Sequence, residues 1–209
     1  MIRILIADDH SVVRKGLRQI LSEGFPSVQI DEVGDADTMI KKVMDEEYDV
    51  VISDLSMPGR SGLEGLQQIK QINPKLPVLI LSIYPEEQYA IRLLKAGASG
   101  YLNKDLAPEE LVNAVQRVLL GKRYITPTIA EKLAFSLDHP AEKDPHELLS
   151  DREFSVLKML ATGKSVSEIA ETLYLSVTTV STYRARILTK MDLKTNADLT
   201  LYAMEHKLI

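Results

Sequence analysis

The chain has 209 residues, a net charge of -5 and no cysteine, and 45% of its residues are hydrophobic. That length accommodates one large or two small domains with a sizeable core, and the lack of cysteine excludes a disulfide framework and a thiolate metal centre. No apolar stretch reaches the roughly 18 residues that cross a bilayer and no signal-peptide pattern opens the chain, so the expected location is the cytoplasm, with no membrane partner.

Up to about residue 120, short apolar runs alternate with amphipathic stretches. Strands are predicted at RILIA (3–7), VQIDEV (28–33), DVVIS (49–53), PVLILS (77–82) and GYL (100–102). Most are continuously apolar, as in a parallel sheet covered on both faces. The segments between them, VVRKGLRQIL, DTMIKKVMDEE, LEGLQQIKQI, EQYAIRLLKAG and APEELVNAVQRVLLG, space their apolar residues by three and four, as amphipathic helices do. Gly97 and Gly121 stand where such helices end, and Pro108 suits a first helical position. Five strand-helix units predict an α/β fold, a doubly wound parallel sheet whose ligand site lies at the carboxyl ends of the strands.

Beyond Gly121 a short helix is expected from about Pro127, followed by a polar linker, DHPAEKDPHE. The expected division is a first domain over 1–121, a linker over 122–147 and a second, smaller helical domain over 148–209. Charge changes across that division: residues 1–147 hold 17 Lys and Arg against 23 Asp and Glu, whereas residues 148–209 hold 8 against 7. Such a step points to different partners for the two parts.

Asp8 and Asp9 follow the first strand, Asp54 the third, Ser82 ends the fourth, and Lys104 lies two residues past the predicted end of the fifth. Neighbouring carboxylates disfavour joint ionisation unless a cation or hydrogen bonds relieve them. Taken singly, Asp9 could cap a helix, Asp54 brace a turn and Lys104 sit on the surface. A parallel sheet brings all these positions to one edge. Three carboxylates there suit a hard cation such as Mg²⁺, and a carboxylate can itself attack phosphorus. Asp54 is the natural nucleophile, because it precedes the exposed turn LSMPGRSG (55–62), with Lys104 and Ser82 placed to stabilise the transferred group. His10 has no spaced partner and reads as a polar loop or cap residue rather than a metal ligand.

With IADDH (6–10), DLSMPGRSG (54–62) and SGYLNKD (99–105) in this order, residues 1–120 resemble the receiver domain of bacterial response regulators. The resemblance implies a flavodoxin-like sheet of order 2-1-3-4-5 and phosphoryl transfer from a sensor histidine kinase onto Asp54. It further implies Mg²⁺ held by Asp9, Asp54 and the backbone carbonyl of Ser56, with Asp8 acting through water. Ser82 and Tyr101 match the switch positions that report phosphorylation. Two departures stand out: Ile83 is larger than the Ala or Gly frequent in the family, and Asp105 replaces a frequent proline after Lys104.

In the C-terminal part, Ser150 with Glu153 and Ser165 with Glu168 have capping-box spacing, and Ser176 can cap a helix starting at Val177. On that helix Val180, Ile187 and Met191 form one stripe, while Thr178, Ser181, Thr182, Ala185 and Thr189 face away, flanked by Thr179, Arg186 and Lys190. Cations for phosphates beside short side chains for base edges suit a DNA groove, although a solvent-facing helix in a small bundle fits the same pattern. Residues 148–209 resemble the LuxR-type helix-turn-helix of the NarL/FixJ family. The resemblance implies base contacts from Ser181, Thr182 and Ala185, with Thr178, Thr179, Tyr183, Arg186 and Lys190 also on the DNA-binding surface. Ser181 replaces a frequent lysine, so no bidentate base contact is implied. Arg184 occupies an inward phase and has no assigned role.

The resemblance as a whole implies a transcription regulator, not an enzyme. Its partners would be a sensor histidine kinase and double-stranded DNA, and it would form a homodimer when phosphorylated. The rival chemistry is a Mg²⁺-dependent phosphohydrolase with an aspartyl-phosphate intermediate, for which no second acid placed for turnover is evident. A regulator not controlled by phosphorylation is the other alternative, against which the intact set of Asp8, Asp9, Asp54, Ser82 and Lys104 argues.

Overall fold

Five strands, β1 (Ile2–Ala7), β2 (Val28–Val33), β3 (Val50–Asp54), β4 (Val78–Ser82) and β5 (Gly100–Asn103), pair in parallel in the order β2-β1-β3-β4-β5. This is the doubly wound order expected. The computed structural model describes residues 1–138, 144–206 and 208–209. The helices of the sheet unit are α1 (Ser11–Gly24), α2 (Ala36–Asp45), α3 (Gly62–Ile72), α4 (Glu86–Lys95), α5 (Ala107–Leu119) and α6 (Pro127–Asp138).

The continuous apolar runs are explained by two-sided burial. Ile4, Ile6, Ile52, Leu79 and Leu81 pack with Leu17 and Leu21 of α1 and with Leu111, Val115 and Val118 of α5. The alternate residues Leu5, Val51 and Ile80 are equally buried, and α2 packs against α3 through helices that bury Met39, Ile40, Leu66 and Ile69. Each fully buried aliphatic side chain contributes roughly 1.5–3 kcal/mol. Both glycines expected at helix ends adopt left-handed backbone, Gly97 at φ 104° and Gly121 at φ 73°.

Two boundaries differ from expectation in ways that move the site. β3 runs one residue further, so Asp54 is itself a strand residue opposite Leu81. β5 likewise extends to Asn103, which pairs with Ser82, so Lys104 follows the strand directly at the start of a single-turn 3-10 helix (Lys104–Leu106).

The chain divides into two compact units, residues 1–139 and 140–209. The expected linker contains α6, which packs against α4 within the first unit, while its residues 139–143 lie outside the described residues. The second unit is a helical bundle of α7 (Asp151–Ala161), α8 (Val166–Thr172), α9 (Val177–Lys190) and α10 (Asn196–Glu205). Its core holds Phe154, Leu157, Leu160, Ile169, Val180, Ile187 and Leu199. Both expected capping boxes are formed, Ser150 with Glu153 and Ser165 with Glu168, and Ser176 caps α9 by accepting from the Thr179 N–H.

Candidate functional site

The turn after β1 presents Asp8 and Asp9, β3 presents Asp54, and the end of β5 presents Lys104. Lys104 Nζ lies 2.7 Å from Asp8 Oδ2 and 3.0 Å from Asp54 Oδ2. The ammonium thus bridges two carboxylates that are only 1% and 4% exposed. Burial alone would push Lys104 down, but Asp54 and Asp8 together hold it above its ordinary range. Burial pushes the Asp54 carboxyl up, Lys104 opposes this, and the nearby charge of Asp8 reinforces it, leaving Asp54 above the usual carboxylate range. Ser56 donates its backbone N–H to the same carboxyl.

The neighbouring acids have different surroundings. Asp8 Oδ1 accepts the His10 N–H at 2.8 Å while Oδ2 takes Lys104, so Asp8 is satisfied by the protein. Asp9 is not: its Oδ1 is buried without a hydrogen bond. His10 Nδ1 lies 2.7 Å from it but outside hydrogen-bond geometry. A buried carboxylate oxygen left without a donor costs about 1–3 kcal/mol unless something else satisfies it. Asp8, Asp9, Asp54 and His10 each offer a ligand atom within 4.8 Å of the others. Hard oxygen donors with one orphaned oxygen fit a divalent cation such as Mg²⁺. His10 thus faces the acidic group rather than standing apart, because its position at the start of α1 turns the imidazole back over the β1 turn.

Ser82 and Tyr101 meet at one loop. Ser82 Oγ, buried at the end of β4, accepts the Tyr84 N–H at 3.1 Å, and the buried Tyr101 hydroxyl donates to the Tyr84 carbonyl at 2.6 Å. The segment following β4 is therefore held at both sides of one residue. The large Ile83 beside it is 67% exposed.

Sequence reasoning missed Arg14, whose Nη1 donates to the Asp8 carbonyl oxygen at 2.6 Å and whose Nε lies 3.4 Å from Glu32. The available signal was a cation in an early turn of α1, where the helix dipole favours acids and no acid occurs. Gly62, expected in the exposed turn, is instead buried as the first residue of α3. A Cβ there would stand 2.2 Å from the Asp54 carbonyl oxygen and 2.8 Å from Leu55 Cα, so only glycine lets α3 begin against the end of β3.

In the helical unit, Val180, Ile187 and Met191 are buried, and Thr178, Ser181, Thr182, Ala185, Arg186 and Thr189 are exposed on α9. Thr179 and Tyr183 are half-buried. Lys190 Nζ sits 2.6 Å from Oε2 of Glu153 on α7, a residue only 3% exposed. Burial pushes the Glu153 carboxyl up, but the hydrogen bonds from Lys190 and Ser150 outweigh it and hold the group below the usual range. Lys190 is therefore engaged within the bundle. Arg184, whose role was open, donates from Nε to Asn196 Oδ1 at 2.7 Å, tying α9 to the start of α10.

A parallel sheet with acids and a lysine converging at its carboxyl edge, followed by a helical unit that presents one polar helix face, defines a receiver coupled to a helix-turn-helix module. Residues 4–116 match the response regulator receiver domain, and residues 147–203 match the luxR family of bacterial regulatory proteins. The chain belongs to the NarL/FixJ family of response regulators. It is 36% identical over 209 residues to the response regulator UvrY of Escherichia coli, covering all of this chain and 96% of that one. It is also 36% identical over 213 residues to the response regulator GacA of Pseudomonas aeruginosa, covering all of this chain and 98% of the relative. Among solved structures it resembles a two-component response regulator RcsB–DNA complex, with a TM-score of 0.58 and 28% identity over 97% of this chain and 98% of the other. Another is RcsB from Salmonella enterica serovar Typhimurium bound to promoter rprA with phosphomimetic BeF3-, with a TM-score of 0.61 and 27% identity over the same shares. Among the described residues, no helix is long and apolar enough to cross a membrane.

Proposed function

We propose that this chain is a transcription regulator whose DNA binding is controlled by phosphorylation of Asp54 by a sensor histidine kinase. The observation that carries the reading is the Lys104 bridge between Asp8 and Asp54 at the carboxyl edge of the sheet. An Asp54 carboxylate oxygen attacks phosphorus, an O–P bond forms, and the N–P bond to the donor imidazole breaks. Lys104 is placed to follow the charge from the Asp54 carboxylate onto the phosphoryl oxygens. Asp9, Asp54 and the Ser56 carbonyl would hold Mg²⁺, with Asp8 contributing through water; when bound, the ion supplies positive charge to the phosphoryl oxygens. Ser82 gives up the Tyr84 N–H to reach the phosphoryl group, which frees the segment that Tyr101 also holds.

On this reading residues 1–121 form the receiver, 122–147 the connection and 148–209 the DNA-binding domain. Ser181, Thr182 and Ala185 face base edges, and Thr178, Thr179, Tyr183 and Arg186 surround them. Lys190 serves first as the partner of Glu153. Phosphorylation shifts an existing equilibrium toward a homodimer that reads paired half-sites. Supporting this reading are the similar response regulators UvrY and GacA and the RcsB–DNA complex.

The test uses a small phosphodonor with Mg²⁺ on the full chain. The wild type is expected to gain a single phosphoryl group by mass and to bind promoter DNA more tightly; Asp54→Asn should do neither. Labelling that persists in Asp54→Asn would overturn the assignment. Continuous phosphate release from small phosphoesters would favour a phosphohydrolase instead.

A further inference from the structure

We infer that the opposite edge of the receiver sheet carries a binding site for a small oligophosphate, two or more linked phosphates without a base. A cleft of about 410 Å³ opens where α3, α4 and α5 end, lined by Lys70, Lys75, Lys95, Lys122 and Arg123 and, among the described residues, by no carboxylate. Pro77 and Ser99, which immediately precede β4 and β5, also line it, so it lies at the amino ends of the strands. One strand length, about 16 Å for five residues, separates it from the phosphoacceptor edge.

Five converging cations in a chain of net charge -5 are not a consequence of composition. Cations do gather at helix carboxyl ends, where they offset the dipole. Three such ends supply only about 1.5 negative charges, against the three positive charges of Lys75, Lys122 and Arg123 alone. The side chains of Lys75, Lys122 and Arg123 make no ion pair among the described residues. Lys70 is fixed rather than free, donating from Nζ to the carbonyl oxygens of Leu76 at 2.7 Å and Pro74 at 3.3 Å. Burial chiefly, and then the charge of Arg123, push its ammonium below the ordinary lysine range. As with Asp8 and Asp9, an arrangement of like charges is relieved by a counter-ion, here an anion of high charge density.

The lining selects the ligand further. It has no aromatic ring to stack a nucleobase, its uncharged residues being Pro, Ala, Gly, Ser and Val. The volume falls in the ordinary range for small-molecule sites, roughly 300–1,000 Å³, ample for a tripolyphosphate.

The experiment is calorimetric titration of the full chain with sodium tripolyphosphate in Mg²⁺-free buffer, with sulfate at equal ionic strength as comparison. Saturable binding of one tripolyphosphate is expected, tighter than sulfate, with backbone amide shifts at Gly97 and Gly121 in ¹⁵N spectra. The exposed pair Lys122→Ala/Arg123→Ala should weaken it by about tenfold or more, and salt should weaken it in both proteins. No saturable heat, sulfate binding equally well, undiminished binding by the double variant, or shifts confined to α9 or to the Asp54 edge would each overturn the site.

Discussion

Arg14 holds the carbonyl of Asp8, and through it the turn that aims Asp9. Partners that orient a metal-binding group rather than touch the metal typically matter by 10–100-fold in affinity, so Arg14→Ala is expected to weaken Mg²⁺ binding by roughly tenfold while the fold survives. Calorimetric Mg²⁺ titration checks this, and unchanged affinity would remove Arg14 from the site. Glu153 presents a different dependence. Its folded carboxyl titrates below the ordinary range, so its contribution is complete above the unfolded value of about 4.3 and is lost as pH falls through the folded value. The helical unit should therefore lose stability progressively below about pH 4. Lys190→Met should cost about 2 kcal/mol at neutral pH, because it takes a charged hydrogen bond from a buried carboxylate, and it should flatten that acid slope. Urea unfolding across pH for both proteins measures the two effects. Asp8, Asp9, Asp54, Ser82 and Lys104 were legible because each follows or ends an apolar run. Arg14, and the way His10 turns toward Asp9, were not, because a helix's polar face looks alike whether it meets solvent or a neighbouring turn.

At the level of elements, the junction of β3 and α3 is the most constrained part of the receiver. Gly62 opens α3 with room for no side chain against the Asp54 backbone, and Ser61 caps the same helix in a capping box with Glu64. Gly62→Ala must displace either the helix start or Asp54, at about 2–3 kcal/mol in the manner of an overpacked core. Chemical denaturation should show that loss, accompanied by slower phosphorylation from a small donor; a neutral substitution would mean that α3 has freedom the packing denies it. The Ser61–Glu64 and Thr195–Asp198 capping boxes completed what periodicity left approximate. Strand ends were placed within one or two residues because a parallel sheet buries both faces, so the apolar run is the strand. Where the run ends in a polar residue, as at Asp54 and Asn103, composition hides that the backbone pairing continues.

For the whole molecule, phosphorylation is expected to change assembly and output together. Size exclusion of the wild type with phosphodonor and Mg²⁺ should move toward a dimer as DNA affinity rises. Arg186→Ala should lower affinity about equally across sequences and reduce the slope of log affinity against log salt by about one, as for a single phosphate contact. A salt slope unchanged in Arg186→Ala would take that residue off the DNA surface. By itself the sequence determined the doubly wound sheet, the helical second part and the convergence of three aspartates and a lysine, since these follow from periodicity and from the topology of parallel strands. Only the tertiary structure decided which two carboxylates Lys104 bridges, which oxygen of Asp9 is left without a donor, and that Lys190 belongs to Glu153. Those outcomes depend on distances of a few ångströms between segments far apart in the chain, and no local pattern encodes them. The pair Asp8 and Asp9 shows the division: adjacent and chemically identical as letters, one is filled by the protein and the other left with an open oxygen.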